Sequence, residues 1–326
     1  MAGYGKRLRP HTWSKPKPLV SVAGKTVLAH FLDAFQSLEV EEVIFIIGYL
    51  GEQVRDYIGE RYPTLNARYV VQEELTGQSH AIWLAGEGLE GPALVAFVDT
   101  LIDADFSALG DEGTIWAKEV EDPRRFGVVD LGDDGRVRRL VEKPEDPQSN
   151  LAVVGFYYFP RAEKLIGAIE RQLSGGDMLK GEYYLAEAIN LLLEDGLQMK
   201  AGTVAAWNDC GTPSALLSTN RYLLDHGEAN SAKPQDQAET SFVSPVYLDA
   251  SSRVANSVIG PHVSIGPNCV IEGCKISDSI IESGTQIRDS SLSHSLIGRD
   301  TRVAGVTGSV DIGDNSDVVG SDPETC

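Results

Sequence analysis

The sequence predicts an α/β domain on a mostly parallel mixed sheet, followed by a left-handed parallel β-helix. Three observations carry this. Short apolar runs alternate with helical patterns between Val43 and Val98. A polar stretch without aromatics, Asp225 to Thr240, contains a linker. Beyond it, aliphatic residues recur every six positions. The domain limits that follow are 1–228, a linker at 229–241, and a β-helix at 242–320.

The composition sets bounds. A chain of 326 residues, 42% hydrophobic and 23% charged, reads as an ordinary globular protein of one large or two medium domains. No apolar run approaches the ~20 residues that span a bilayer, and no signal peptide is visible, so a cytoplasmic location is expected. Cys210, Cys269, Cys274 and Cys326 show no C-x-x-C pairing and read as free thiols in a reducing compartment. A formal charge of −20 argues against nucleic acid or anionic membrane as partners.

In chain order, Val43 to Ile47 is a continuous apolar run ending at Gly48, which suits a strand buried on both faces. Leu50 to Glu60 has helical spacing. Tyr69 to Val71 is a strand ending at Gln72, and a helix opens near Ala81. Leu94 to Val98 is a third buried strand, ending on Asp99. Ligands bind outside the carboxyl ends of such strands, where Gln72 and Asp99 sit. Strands follow at Thr114–Val120, Phe126–Leu131, Arg136–Glu142 and Val153–Phe159, with a turn at Asp133-Asp134-Gly135. Helical patterns return at Arg161–Leu173, Tyr183–Leu193 and Pro213–Leu224. In the last segment Ile259, Ile265 and Ile271 are six apart, as are Ile281 and Ile287, and Ile297 and Val303. Each points inward and is buried by the next coil. At about three hexads per coil the segment holds about four coils.

The first twenty-five residues invert the charge of the chain. They contain Lys6, Arg7, Arg9, Lys15, Lys17 and Lys25 and no acid. Gly3 and Gly5 permit a tight turn that presents N–H groups to an anion. Arg7 can fork onto a phosphate, with Lys17 as a point charge beside it. The run fits neither G-x-x-x-x-G-K-[ST] nor G-x-G-x-x-G, so the chemistry alone gives an anion-binding loop.

The spacing goes further. A-G-Y-G-K-R-L-R-P-H-T followed by P-K-P-L closely resembles the signature of the sugar-1-phosphate nucleotidylyltransferases, G-x-G-T-R-L, then T, then P-K-P-L. Lys6 stands where that family usually has Thr. The family also has a strand before the loop, so a start upstream of Met1, with the first strand missing here, is expected. W-N-D-C-G-T-P around Asp209, E-K-P at Glu142–Pro144, Phe126-Gly127-Val128 and Val154-Gly155-Phe156 match further family elements. The resemblance is closest to long-form glucose-1-phosphate thymidylyltransferase-like proteins with a C-terminal left-handed β-helix. ADP-glucose and GDP-mannose pyrophosphorylases share that layout.

The resemblance implies a Rossmann-like domain of the nucleotide-diphospho-sugar transferase type. It implies transfer of a nucleotidyl group from an NTP, dTTP or UTP favoured, to a sugar 1-phosphate, glucose 1-phosphate favoured. Arg7 and Lys17 would be catalytic. Ala2, Gly3, Gly5, Lys6, Gln72 and Gly77 would bind nucleotide. Gly127, Glu142, Lys143 and Gly155 would meet the sugar phosphate, and Asp99 and Asp209 would hold Mg²⁺. A homo-oligomer is expected, without nucleic-acid or membrane partners. Two rivals share the fold. One is a bifunctional enzyme with acyl transfer in the β-helix, using His262 or His294 as base. The other is a non-catalytic regulatory subunit, against which the presence of Lys17, Asp99 and Asp209 argues.

Overall fold

The apolar runs become strands because β-branched and aromatic side chains pack well on a pleated surface. The computed structural model describes residues 2–36, 38–107, 109–176, 178–229 and 239–320. Most of the expected linker, residues 230–238, lies outside the described residues, as do Met1 and Cys326. The chain divides into two compact units. One is Met1–Gly3 with Ala34–Trp207, and the other is Tyr4–Asp33 with Asn208–Cys326. The second unit thus takes in the basic opening segment and the stretch after Trp207, as well as the expected β-helix.

In the first unit the main strands are β1 (Val43–Ile47), β2 (Ala67–Val71), β3 (Ala93–Ala96), β4 (Gly113–Glu119), β5 (Gly127–Leu131), β6 (Val137–Glu142), β7 (Leu151–Phe159) and β8 (Met199–Thr203), and a short strand, Thr100–Asp103, directly follows Asp99. Six of them form one sheet in the order β8-β4-β7-β5-β6, with β3 also on β7. The sheet is mixed, but its parallel share is smaller than expected. Only β8–β4 runs parallel in it, while β7 pairs antiparallel with β3, β4 and β5, and β5 with β6. For β5 and β6 the reason is connection length. A parallel pair needs a crossover of a dozen or more residues. The Asp133-Asp134-Gly135 turn, closed by Gly132 N–H on the Arg136 carbonyl at 2.8 Å, folds β6 straight back onto β5. β1 and β2 pair parallel, joined through the helix α1 (Gly51–Arg61).

Two strands expected to be buried on both faces are less so. Only Phe45 and Ile47 of β1 are buried, and all four residues of β3 are half-buried. Among the described residues each pairs on one edge, β1 with β2 and β3 with β7. The core lies under β4, β6 and β7. The helices α3 (Ala162–Gly175) and α4 (Leu185–Glu194) cover it, burying Leu165, Ala168 and Ile169 from one and Leu185, Ala188, Ile189 and Leu192 from the other. Those spacings are the apolar stripe of an amphipathic helix. The short helix α2 (Gln78–Leu84) adds Ile82 to the same core.

In the second unit the helix α5 (Pro213–Leu223) starts where a cap, a proline and an apolar face coincide. The Thr212 hydroxyl accepts from Ala215 N–H at 3.2 Å, and Pro213 takes the first turn. The six-residue period becomes a parallel β-solenoid of three five-stranded sheets, so five coils are described where about four were expected. The coils are shorter than three full hexads: Val246 lies over Val263, Ser264 over Ile280 and Leu296 over Asp311, steps of 17, 16 and 15 residues, so the same length holds one more coil. Inside, residues stack coil over coil. Leu248, Ile265, Ile281, Ile297 and Ile312 form one ladder, and Val254, Ile271, Ile287, Val303 and Val318 another. Cys269 and Cys274 fill the same interior as free thiols, and Cys210 is also buried. Burial pushes the Cys269 thiol up to about 11, so it is inert at neutral pH.

Each coil buries its core only against its neighbours, so a cavity in a middle coil is felt by the whole stack. Ile276 is fully buried. Ile276→Ala should cost about 2–5 kcal/mol, read as a lower denaturation midpoint of the solenoid. An unchanged midpoint would mean that the ladders do not carry its stability.

Candidate active site

The basic loop of the second unit is shaped by local sequence. Gly5 sits at φ +61, in the left-handed region that glycine adopts without strain. It opens a tight turn at Lys6–Leu8, closed by the Thr12 hydroxyl donating to the Gly5 carbonyl at 2.8 Å. A side chain at position 5 would lie 3.0 Å from Thr12 Cγ2. The threonine of the motif therefore pins the glycine of the motif. Lys6 and Arg7 are left exposed, with Lys6 Nζ 5.5 Å from the Tyr4 ring. Lys17 begins a second tight turn, Lys17–Leu19, and is half-buried.

The W-N-D-C-G-T-P motif lies in the same unit from Asn208 onward. Asp209 is exposed, and its Oδ1 accepts from Gly211 N–H at 2.8 Å. Its backbone carbonyl accepts from the Thr219 hydroxyl on α5 at 2.8 Å, which fixes the residue to the helix. A Cβ at Gly211 would fall 2.8 Å from Asp209 Oδ1 and 3.0 Å from Arg7 Nη2. Glycine at 211 thus lets a carboxylate and a guanidinium approach the same stretch of backbone. Two expected site residues from opposite ends of the motif set, Arg7 and Asp209, are brought together here.

Not all six cations of the opening face solvent anions. Lys15 is 3% exposed and pairs with Glu282 and with Asp314, the latter at 3.2 Å. Lys25 pairs with Asp33 at 3.0 Å and Glu228 at 3.3 Å. Burial lowers Lys15 to about 8 against the raising pull of Asp314. Of the solenoid histidines, His262 bonds Asp225 at 3.0 Å and lies 3.5 Å from Asp278, while His294 is exposed and 4.0 Å from Asp278.

The first unit holds the other expected residues. Ala2 is buried against Gly48 at the end of β1, where a Cβ on Gly48 would strike the Ala2 carbonyl at 2.7 Å. Gly3 beside it is exposed. Gln72, 5% exposed, follows β2, and its amide Nε2 donates to the Gly77 carbonyl at 3.1 Å. Gly77 has φ +119, and a Cβ there would lie 2.5 Å from Tyr183 N, so only glycine fits. Gln72 and Gly77 therefore stand side by side. His80 bonds the Thr76 hydroxyl at 2.6 Å. Asp99 is half-buried, but not at a strand end as expected. β3 stops at Ala96 because Phe97 N–H turns to the Gly155 carbonyl at 3.0 Å, leaving Asp99 in the following turn. Gly155 sits at φ +85 in a bulge of β7.

Glu142 and Lys143 end β6 beside Gly127, where a Cβ would fall 3.1 Å from Glu142 Oε2. Lys143, at φ +45, donates to the Tyr184 hydroxyl at 2.9 Å, lies 4.4 Å from that ring's centroid and 3.4 Å from Glu142. Burial lowers the Lys143 ammonium, but Tyr184 and Glu142 more than offset it and the net shift is upward. Burial raises the Glu142 carboxyl, partly countered by Lys143. Lys143 also lines an open cavity of about 570 Å³ with Arg124, Arg125, Pro144, Glu145 and Lys180. The sequence reading missed Arg124, Arg125 and Lys180. Arg124 and Arg125 directly precede the Phe126-Gly127 element, and Lys180 precedes a glycine in a tight turn at φ +52.

A raised carboxyl contributes stability that is complete below its unfolded value of 4.5 and is lost as pH rises through its folded value. Glu142→Gln carries no such proton. Its melting temperature should therefore decline less than the parent's as pH rises just above 4.5, and parallel melting curves would contradict the assigned burial effect.

Comparison with known proteins places these features in a family. The model described as "Nucleotidyl transferase" matches residues 1–226, and one described as "GMPPB C-terminal domain" matches residues 242–322. The low-salt glycan biosynthesis nucleotidyltransferase Agl11 of Haloferax volcanii is 30% identical, over 92% of this chain and 91% of its own length. A glucose-1-phosphate thymidylyltransferase of Streptomyces antibioticus is 30% identical over the same shares. A crystal structure from Bacillus anthracis, assigned as a glucose-1-phosphate thymidylyltransferase and holding sucrose, superposes with a TM-score of 0.60. It covers 68% of this chain and 92% of its own, and at 23% identity that likeness is one of fold. The chain belongs to the nucleotidyl transferase family.

Proposed function

We propose that the protein transfers a nucleotidyl group from a nucleoside triphosphate to a sugar 1-phosphate, giving an NDP-sugar and pyrophosphate. The observation that carries this is the approach of Arg7 and Asp209 over Gly211, inside a chain matched by the nucleotidyl transferase model. An oxygen of the sugar phosphate attacks the α-phosphorus. The new P–O bond forms as the bond to the bridging oxygen breaks, and pyrophosphate carries that electron pair away. Both reactants are anionic, so the barrier is largely electrostatic, and the site must align them and neutralise charge.

Arg7 takes the leaving pyrophosphate and Lys17 the α- and β-phosphates. The N–H groups of Ala2, Gly3 and Gly5, with Lys6, surround the triphosphate, and Gln72 and Gly77 flank the base. Glu142 and Lys143, with Gly127 and Gly155, receive the sugar phosphate. Among the described residues no three His, Cys, Asp or Glu side chains cluster as metal ligands. Mg²⁺ is commonly held through one or two carboxylates plus substrate phosphates. Asp99 and Asp209 are the proposed ligands, and the ion would supply charge neutralisation at the transferred phosphate. The Streptomyces relative supports dTTP and glucose 1-phosphate as the first pair to test. No helix among the described residues is long and apolar enough to cross a membrane.

Incubation with Mg²⁺, each NTP and several sugar 1-phosphates should release pyrophosphate with at least one pair. Lys17→Ala and Asp209→Ala should each lower kcat by about 10²–10³ or more. No release with any pair would refute the proposed reaction, and full activity in either variant would refute that residue's role.

A further inference from the structure

We infer that Glu282 and Asp314 on the solenoid are positioning residues for the phosphate-binding loop, acting through Lys15. This rests on the proposed roles of Arg7 and Lys17. Several contacts tie residues 11–21 to the solenoid. His11 Nε2 meets Asp311 at 2.5 Å, and the Ser14 hydroxyl donates to Asp314 Oδ2 at 2.6 Å. The Lys15 ammonium lies between Glu282 and Asp314, and Ser21 N–H donates to Glu282 Oε1 at 3.0 Å. Lys17 stands between these anchors, with one contact set immediately before it and one shortly after.

The local sequence passes that constraint on to Lys17. S-K-P-K-P-L places buried prolines at 16 and 18. Proline fixes φ near −65°, so few rotations separate Lys15 from Lys17. With the Lys15 head held inward, the path of residue 17 is set. Asp314 is itself fixed, since its carboxylate also accepts from Arg299 N at 2.9 Å and Arg299 Nε at 2.8 Å. Glu282 rests in a coil turn, and its side chain is 3% exposed.

The energetics argue that the cluster supplies geometry more than stability. Three charged groups are almost fully desolvated, and such burial roughly cancels the Coulomb gain. An apolar filling would hold the segment about as well. It would not give the directional bonds to Ser14 and Ser21, nor the paired charge on Lys15, that orient the loop.

The test uses the full chain with Lys15→Met and Glu282→Gln combined, which removes both charges of one pair and leaves neither unpaired. The control is Ile271→Val, a solenoid core change away from the loop. Affinity for dTTP and UTP is measured by calorimetry, and turnover by pyrophosphate release. The double variant should bind the triphosphate about tenfold more weakly, with the KM for sugar 1-phosphate unchanged. The control should bind as the parent does, even where its melting temperature drops further. Equal triphosphate affinity in parent and double variant overturns the inference. So does a loss that tracks melting temperature in both variants, or a parent that binds no triphosphate. A parent that binds but releases no pyrophosphate refutes the proposed reaction, and the affinity comparison still decides the positioning role.

Discussion

A lysine ammonium buried between two carboxylates is stable only where all three groups are held in place. Lys15, Glu282 and Asp314 are each at most 3% exposed, and backbone and side-chain donors from Ser14, Ser21 and Arg299 complete the carboxylate shells. Lys15, Ser14 and Arg299 hold Asp314 below the usual carboxylate range although burial opposes them. Ser14 and Asp314 are 300 residues apart in sequence. The opening loop and the solenoid therefore fold as parts of one unit, and the loop inherits the solenoid's rigidity.

That arrangement explains how a flexible, glycine-bearing loop can serve chemistry that needs alignment. The loop must present exposed cations, and exposed cations on a mobile loop align nothing. Here Gly5 and Thr12 close its first turn, Lys15 anchors its second half, and Gly211 gives the Arg7 guanidinium room beside Asp209. In the other unit the same logic recurs at Gly77 and Gly127, where the absence of a Cβ leaves room for a neighbouring backbone or carboxylate. The glycines of the motifs are thus largely packing requirements, and the polar residues beside them are the chemistry.

Much of this was legible in the sequence, and the reasons for the rest are physical. The six-residue period fixes which face of each strand points inward, so Ile259, Ile265, Ile271, Ile281, Ile287, Ile297 and Val303 are all buried. Thr212 and Pro213 mark a helix start by local capping alone. The coil number was underestimated because the turns trim each coil to 15–17 residues, below three full hexads, and turn length leaves no mark in the aliphatic period. The parallel share of the main sheet was overestimated because the strand–helix alternation lies between Val43 and Val98, whereas β7, from the later run of consecutive strands, pairs antiparallel with three neighbours. Lys15 resembled its basic neighbours, and only tertiary contacts show that it faces inward. Arg124, Arg125 and Lys180 went unnoticed because a cavity wall assembled from separate turns has no period or spacing.

If the basic opening loop is the triphosphate site, a crystal structure with a non-hydrolysable nucleoside triphosphate and Mg²⁺ will show phosphate oxygens within hydrogen-bond distance of Arg7 and Lys17. A nucleotide well ordered elsewhere, with neither side chain in contact with its phosphates, would contradict it.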